Sequence, residues 1–167
     1  MTVLEILKYP DPRLRIKAQP VVAVDAELRR MIEDMYETMY ASEGVGLAAT
    51  QVNIHKRMFT MDISKSQDEP FCLINPEMIS QTGKQFEGEA CLSVGGGAYD
   101  KIERAAQVRV RAMNIDGKII ELEAEGLMAA CIQHEMDHLN GVLFIDHLSK
   151  LKQTRIRKKI EKADRRD

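Results

Sequence analysis

The sequence has no tryptophan, and aromatic residues make up only 5% of its 167 residues. It has no apolar run long enough to cross a membrane, and its N-terminus shows no basic leader followed by an apolar stretch. These absences argue against a membrane protein and predict that there is no secretory signal. The ten methionines supply adaptable filling for the core where aromatic side chains are scarce.

Cysteine is scarce too, with only Cys72, Cys91 and Cys131 in the chain. An odd number of cysteines without a signal indicates reduced thiols, and we therefore expect a cytoplasmic protein. The length suits one domain, and neither an internal repeat nor an interdomain linker is visible. A single domain over residues 1–167 is predicted.

The net charge of −2 is unevenly distributed along the chain. Residues 150–167 hold nine Lys or Arg and three Asp or Glu, a net charge of +6, which leaves −8 on the rest of the chain. A basic tail on an acidic body can indicate an acidic partner. Composition alone favours a simpler interpretation, in which this tail is the solvated face of a C-terminal helix over residues 149–167.

A loop with two glycines, Gly44-Val45-Gly46, follows the first predicted helix. Glycine allows a backbone to pass close to other groups. The loop lacks the third glycine of a dinucleotide-binding loop and follows a helix instead of a strand. It also lacks the Gly-Lys-Ser/Thr ending of a phosphate-binding loop, so nucleotide binding is not predicted.

The most informative stretch is His134-Glu135-Met136-Asp137-His138. Two histidines four residues apart on a helix lie on one face, so their imidazoles can bind one metal ion. The glutamate beside the first histidine can then reach a water on that metal and act as general base. A helix that merely exposes two histidines is disfavoured, because the chain has only four histidines and two of them lie here.

A catalytic metal usually has three protein ligands, so a third ligand is expected; the candidates are Cys91, Cys72, Cys131, His147 or a carboxylate. Cys131 lies seven residues before His138, about 10 Å along a helix, which is too far for one metal to bind both easily. Cys72 lies in an apolar run and is expected in the core. Cys91 lies between glycines that can bring a thiolate to a site. It therefore remains a candidate for the third ligand, as do His147 and a carboxylate.

The pattern of apolar residues predicts an α+β fold. Helices are predicted over 25–42, 127–139 and 149–167, and strands over 57–63, 71–75, 108–113 and 119–124. Helix 127–139 has few charges before Glu135, so most of its surface should be buried. Short antiparallel strands are therefore expected to pack around this central metal-binding helix. The C-terminal helix should make sparse apolar contacts through Leu151, Ile156 and Ile160.

Three motifs in order resemble those of peptide deformylase: Gly44-Val-Gly-Leu-Ala-Ala-Thr-Gln51, Glu89-Ala-Cys-Leu-Ser93 and Gln133-His-Glu-Met-Asp-His138. The resemblance extends to the opening Tyr-Pro-Asp-Pro-Arg-Leu-Arg and to Leu-Ile-Asn-Pro, and so covers nearly the whole chain. It implies a metal-dependent hydrolase that removes the formyl group, as formate, from the N-terminal formyl-methionine of nascent proteins.

The resemblance also assigns the residues of the site. It implies that Cys91, His134 and His138 bind the metal, usually Fe²⁺, with Zn, Ni or Co as substitutes. It implies that Glu135 takes a proton from water and passes it to the leaving amine. The Gln51 side-chain amide and the Leu92 main-chain N–H are then the expected donors to the developing oxyanion.

The resemblance places the peptide substrate, an N-formyl-methionyl chain, along the glycine loop. Gly44, Val45 and Gly46 are expected to bind it as an added strand through main-chain hydrogen bonds. Val45, with Ile132 and Gln133 of the buried helix, is expected to line the pocket for the methionine side chain.

Two departures from the family pattern concern the loop that holds Cys91. Ala90 replaces the usual glycine, and Gly95-Gly96-Gly97 replaces a proline followed by a polar or basic residue that contacts the peptide. If Ala90 has a positive φ, it costs roughly 1–2 kcal/mol relative to glycine. The glycine run should loosen the substrate side, so activity is expected with a raised KM.

Two other functions are compatible with these motifs. A zinc endopeptidase shares the His-Glu-x-x-His pattern, but no third ligand appears at a typical downstream spacing. A related protein with weakened catalysis that acts as a ribosome-associated binding module would explain the basic tail and the altered loop. The family resemblance also implies that a basic C-terminal helix can dock on the ribosome, where phosphates favour Lys and Arg. A monomer with no membrane partner is expected.

Overall fold

The structure, a computed structural model, describes residues 2–165. Within these residues the elements are α1 (Ala26–Ala41), β1 (Gly46–Ala48), β2 (Met58–Met61), β3 (Phe71–Thr82), β4 (Gln85–Glu89), β5 (Asp100–Arg104), β6 (Gln107–Met113), β7 (Ile119–Glu125), α2 (Gly126–Leu139) and α3 (Lys150–Asp164), with 3-10 turns at Pro12–Arg15, Ala49–Val52 and Phe144–His147. The fold is α+β, as predicted. Over the described range, no helix is both long and apolar enough to cross a membrane.

Helix α1 begins where the sequence predicts. The Asp25 carboxylate accepts a hydrogen bond from the N–H of Leu28 at 2.8 Å and so caps the helix. The apolar stripe that contains Leu28, Ile32, Met35 and Met39 is buried in one core cluster. The methionines of this stripe therefore fill the core, as expected.

The strands of the described residues form two separate antiparallel sheets. The larger sheet has the order β1-β2-β3-β6-β7, and β4 pairs with β5 in a short ribbon. Helix α2 packs on the larger sheet, where its Ala129, Ile132 and Leu139 share a core cluster with Phe59 and Leu73. The buried central helix that the sequence predicts is confirmed.

Strand β3 is longer than predicted. The sequence indicates a strand end at Asn75, because the following proline cannot donate to a ladder. The strand instead continues through Pro76 to Thr82, and its register with β6 shifts between Ile74 and Glu77. Asn75 has a φ of +52° at this bulge. Because the bulge leaves Pro76 without a ladder partner, its missing N–H interrupts no bond.

Two further elements differ from the sequence prediction. The stretch 43–51, expected to be a loop, contains β1 and most of the 3-10 turn Ala49–Val52. The sequence does not predict β5, because the segment Asp-Lys-Ile-Glu-Arg is mostly charged. Only Ile102 and Arg104 of this strand are buried, and Arg104 is buried because it forms ion pairs.

Helix α3 is capped by Ser149, whose hydroxyl accepts a hydrogen bond from the N–H of Lys152 at 3.3 Å. Ile160 is buried in the core cluster that contains Val94 and Phe144, and Ile156 packs against the same cluster. Leu151 is 61% exposed, so the prediction of a core contact there is wrong. Ile156 and Ile160 are four residues apart and share a face, whereas Leu151 is turned away from that face. Residues 166 and 167 of the predicted helix lie outside the described residues.

Two truncations on α3 test how this helix is held. We expect Ile160→Ala to lower the free energy of unfolding by about 2–5 kcal/mol, because it removes buried apolar contacts. Leu151→Ala, the matched control on the exposed face, should change the free energy of unfolding by less than about 0.5 kcal/mol. Urea denaturation of both variants checks this, and equal losses would contradict the packing of α3.

Candidate metal centre

Helix α2 presents His134 and His138 on one face. Their ring centroids are 5.0 Å apart, and the ring planes meet at 65°. The helix ends at Leu139, directly before Asn140 and Gly141, where the sequence predicts a stop. Gly141 has a φ of +74°, and a Cβ there would lie 2.5 Å from the carbonyl oxygen of Arg15. Glycine is therefore required both by the backbone conformation and by the close approach.

Cys91 lies just after β4, in a turn that faces α2. Its Sγ is 3.3 Å from Nε2 of His138. The donor atoms of Cys91, His134 and His138 all lie within 4.8 Å of one another. The structure therefore brings together the three residues that the resemblance implies.

The other candidate ligands lie elsewhere. Cys72 and Cys131 pack against two different hydrophobic core clusters, and burial raises the pKa of each thiol to about 12. His147 contacts Asp137 through its Nε2 at 2.9 Å. The distance argument against Cys131 and the core assignment of Cys72 agree with these positions.

The three donors fit a divalent transition metal, because a thiolate and two imidazoles form an N₂S ligand set. Burial lowers the pKa of His138 well below its usual value, so this imidazole is neutral, as a ligand must be. Burial also lowers the pKa of His134, but contacts with Cys91 and Glu89 outweigh it and raise the pKa well above the usual value. The same electron-rich groups that favour a proton there also favour a metal cation.

Glu89, the last residue of β4, orients the first histidine. Its Oε1 is 2.8 Å from Nδ1 of His134, which leaves Nε2 to face the metal position. Arg104 of β5 donates two hydrogen bonds to the same carboxylate, both at 2.9 Å. Burial raises the pKa of Glu89, but the bonds from Arg104 and His134 prevail and lower it to about 2. Glu89 is therefore ionised, and it holds the imidazole in one orientation.

A series of paired charged groups leads from Arg104 through Asp137 to His147 at the surface. The Arg104 side chain is only 5% exposed, and its Nη1 donates to Asp137 Oδ2 at 2.6 Å. Asp137 also contacts His147, which is 41% exposed. The buried guanidinium is thus paired on both sides, as a buried charge requires.

Glu135 is buried beside the metal position, with Oε1 3.9 Å from Nε2 of His134. Its Oε2 has no hydrogen-bond partner among the described residues. Burial raises the pKa of Glu135 to about 7. A carboxyl group with a pKa near neutrality can accept a proton and give it back at the pH of a cell.

Because Gly44 and Gly46 have no side chains, side chains of other residues pack in the space beside them. A Cβ on Gly46 would lie 3.0 Å from Oε1 of Glu135, and a Cβ on Gly44 would lie 2.7 Å from Cδ1 of Leu92. Both glycines therefore have a packing role inside the protein, beside the peptide-binding role that the sequence predicts for them.

Gln51 is held with its amide turned toward Cys91. Its Oε1 accepts from the N–H of Ala48 at 2.9 Å, and its Nε2 donates to the hydroxyl of Ser93 at 3.1 Å. The Nε2 also lies 3.7 Å from Cys91 Sγ. Gln51 is only 2% exposed, so its amide lies inside the protein.

Val45 lies just before β1, at the open edge of the larger sheet. It is 48% exposed, and its carbonyl oxygen accepts from the N–H of Asp62 at 2.9 Å. Within residues 2–165, β1 pairs with β2 on one side only. An unpaired strand edge can accept an extended peptide. The other expected pocket walls do not fit, since Ile132 is buried in the core and the Gln133 amide bonds to main-chain groups of Ala105.

The structure bears on both departures from the family pattern. Among the described non-glycine residues, those with positive φ are Glu43, Asn53, Gln67 and Asn75, so Ala90 does not carry the penalty considered above. Gly96 has a φ of +68°, and a Cβ there would lie 3.2 Å from Cγ1 of Ile160. The glycine run therefore passes close to α3, while a raised KM stays a prediction.

Sequence reasoning missed the residues that support the ligands, namely Glu89, Arg104, Asp137 and Ser93. Glu89 and Ser93 lie inside a recognised motif, so their proximity to Cys91 was a usable signal. Nothing local marks Arg104, because its partners come from β4 and α2.

Comparison with known proteins gives consistent results. A family model described as Polypeptide deformylase matches residues 3–154. A peptide deformylase of Azotobacter vinelandii is 56% identical over 167 residues, which covers 99% of this chain and 98% of that protein. The family match ends within α3, so most of that helix lies beyond it.

Solved structures of peptide deformylases are similar to this chain in fold. The crystal structure of a peptide deformylase from Legionella pneumophila has a TM-score of 0.94 at 45% identity, covering 98% of this chain and 96% of that one. A peptide deformylase from Ehrlichia chaffeensis in complex with actinonin also has a TM-score of 0.94, at 38% identity and with 99% of each chain covered.

The orienting bond to His134 can be tested by measuring metal affinity. We expect Glu89→Gln to weaken metal binding by about 10- to 100-fold, because the carboxylate that fixes the imidazole is lost. Glu87→Gln, an exposed residue of the same strand, should leave metal affinity unchanged. Competition against a chelator measures both. Equal affinities in the two variants would show that Glu89 does not support the site.

Proposed function

The chain belongs to the polypeptide deformylase family, and from that premise we propose a role for each residue of its site. The protein is a metal-dependent hydrolase that removes the formyl group from the N-terminal formyl-methionine of nascent proteins. The observation that supports the roles best is the cluster of Cys91, His134 and His138, with the buried Glu135 beside it.

Cys91, His134 and His138 would hold the metal. We propose Fe²⁺ as the native ion, although the N₂S donor set also accepts Zn, Ni or Co. A divalent ion bound there would lower the pKa of water and polarise the formyl carbonyl. Glu89 and Arg104 would keep His134 oriented toward it, since Nδ1 is already engaged.

Glu135 would move the proton. Its buried carboxylate would accept a proton from the attacking water and deliver it to the amine that leaves as the amide bond breaks. The pKa of about 7 suits both steps, because neither protonation state is strongly disfavoured near neutral pH. Gly46 matters here, since a Cβ at that position would lie 3.0 Å from Oε1 of Glu135 and would require the carboxylate to shift.

The developing oxyanion would be stabilised by the Gln51 amide and the Leu92 N–H. Each donor is preorganised, Gln51 by Ala48 and Ser93, and Leu92 by the turn that closes at Val94. Removing one such donor typically raises the barrier by ~2.7–4 kcal/mol.

The peptide would bind along the open edge of β1. The main-chain groups of Gly44, Val45 and Gly46 would pair with it as an added strand, and the exposed Val45 side chain would contact the methionine. The formyl group would then lie at the metal.

The findings favour this activity over the alternatives. The relative at 56% identity and the three-ligand site support a deformylase, and they support neither a zinc endopeptidase nor a binding module without catalysis. We further propose that residues 1–167 are one domain that acts as a monomer in the cytoplasm. Core residues from Leu7 to Ile160 and the free thiols of the three cysteines are consistent with this.

The role of Glu135 predicts the outcome of one substitution. With anaerobically purified protein and formyl-Met-Ala-Ser, Glu135→Gln should lower kcat for formate release by about 10²- to 10⁴-fold, because the general base is lost. Glu125→Gln, an exposed residue with no capping bond to α2, should keep wild-type kcat. Metal content is measured in both variants. Formate release by the Glu135→Gln variant at the wild-type rate would refute the assignment, and no release by the wild type would refute the activity.

We also propose that α3 docks on the ribosome through its basic face. Arg155, Lys158 and Lys162 are exposed and share a helix face. Cosedimentation with ribosomes should occur at low salt and weaken steeply as salt rises, because phosphate contacts release counterions. Changing these three residues to Glu should abolish it.

The control for this experiment makes the same change in net charge elsewhere. Lys17, Arg29 and Arg30 are exposed and lie outside α3. Changing these three to Glu should leave cosedimentation intact. Binding that is independent of salt, or lost equally in both variants, would mean that α3 is not the docking element.

A further inference from the structure

The N-terminal segment joins the two stretches that carry the proposed oxyanion donors. The N–H of Leu7 donates to the carbonyl oxygen of Gln51 at 2.7 Å, and the N–H of Tyr9 donates to the carbonyl oxygen of Ser93 at 2.7 Å. Gln51 and Ser93 are 42 residues apart in sequence, and their side chains are also bonded to each other. Residues 7–9 thus hold two distant parts of the chain together.

Between these main-chain bonds, the Lys8 ammonium donates to the carbonyl oxygen of Leu92. Residues 7, 8 and 9 therefore bond in succession to residues 51, 92 and 93. The bonds of Leu7 and Tyr9 come from the main chain, whereas the bond of Lys8 comes from an exposed side chain. A substitution at Lys8 can therefore remove one restraint and leave the others in place.

Leu92 is restrained from two further directions. The N–H of Val94 donates to the carbonyl oxygen of Cys91 at 3.0 Å, which closes a turn around Leu92 and Ser93. The Leu92 side chain lies against Gly44, with Cδ1 2.7 Å from the position a Cβ would take there. The turn is thus enclosed by the glycine loop on one side and the N-terminal segment on another.

The central peptide of such a turn is its least restrained part. Among the described residues, the hydrogen bond from Lys8 is the one recorded to the peptide between Leu92 and Ser93, since the closing bond joins Cys91 and Val94. The carbonyl oxygen of that peptide is the one that Lys8 binds. If the Lys8 bond is lost, we expect the turn to open more often, and the Leu92 N–H, which belongs to the first peptide of that turn, then leaves its orientation more often.

Electrostatic stabilisation of an oxyanion depends on donors that are oriented before the reaction. We propose that Lys8 is a positioning residue for the deformylation reaction, because its ammonium fixes the Leu92–Ser93 peptide and so keeps the Leu92 N–H aligned with the Gln51 amide. This inference rests on the donor roles proposed above. A charge-assisted bond is stronger than a neutral one, and exposure to water weakens it, so the effect should be smaller than the loss of a donor.

The test compares Lys8→Met with Lys8→Arg in steady-state hydrolysis of formyl-Met-Ala-Ser. Methionine keeps the length of the side chain and removes the donor, whereas arginine keeps a charged donor. We expect Lys8→Met to lower kcat roughly five- to tenfold with KM within about twofold, since full loss of an oxyanion donor lowers kcat by about 10²- to 10³-fold. Lys8→Arg should restore kcat to within about threefold of the wild type, because its guanidinium can bind the same oxygen.

A second measurement tests how often the turn at residues 91–94 opens. Amide hydrogen exchange over residues 91–94 should be faster in Lys8→Met than in the wild type, because the turn opens more often. Lys118→Met, an exposed lysine between β6 and β7, is the matched control and should match the wild type in kcat and in exchange. Metal content and thermal unfolding should be the same in all the variants.

Three results would overturn the inference: kcat of Lys8→Met within twofold of the Lys118→Met control, a fall in kcat that arginine does not restore, or a fall that accompanies reduced thermal stability. These results are distinguishable from failure of the proposed function. If the wild-type protein releases formate and Lys8→Met behaves like the control, only the positioning role is refuted. If the wild type releases none, the donor roles are refuted as well.

Discussion

The bond between the Glu89 carboxylate and the His134 imidazole is the contact on which the rest of the site depends. It joins the end of β4 to the face of α2, two elements whose bonded residues are 45 positions apart in the chain. Burying a carboxylate is unfavourable unless it is paired, and Arg104 supplies the pairing with two bonds of its own. Asp137 in turn pairs the remaining side of Arg104. Cys91 lies two residues after Glu89 in the chain. Holding the Glu89 carboxylate against His134 therefore also holds the start of the turn that carries the Cys91 thiol.

Close packing explains why glycine is needed at both positions of the loop before β1. The family resemblance assigns Gly44 and Gly46 to the peptide, and the structure adds Leu92 and Glu135 as the side chains that fill the space beside them. One short loop would therefore meet the peptide on its exposed side, and on its buried side it packs against Glu135 and Leu92, the proposed base and a proposed oxyanion donor. The N-terminal segment acts from another direction, through the bonds of residues 7–9 to residues 51, 92 and 93. The proposed donors are thus held by three segments that are far apart in sequence.

The C-terminal part of the chain combines a packed face and a charged one. Ile156 and Ile160 attach α3 to the core cluster that contains Val94, and Gly96 lies against Ile160. The glycine run near Cys91 therefore meets α3 at Gly96, whereas Gly95 and Gly97 are exposed. The exposed Arg155, Lys158 and Lys162 lie on another face of the helix, which suits an acidic surface. The energetic cost of Ala90 in place of glycine likewise depends on its φ angle, which only the folded structure gives.

The sequence by itself determined the fold class, the extent of α1 and α2, the β6–β7 hairpin and the identity of the reaction. The fold class and these elements follow from local periodicity and from capping residues such as Asp25, and the reaction follows from the resemblance of three short motifs to those of peptide deformylase. The tertiary structure alone decided the route of β3 past Pro76, the existence of β5, the exposure of Leu151 and the pairing of Arg104. The same holds for the surroundings of Gln51 and Leu92, because each depends on groups brought together from distant parts of the chain. Hydrogen bonds and burial are set by neighbours in space, and a sequence pattern records only neighbours along the chain.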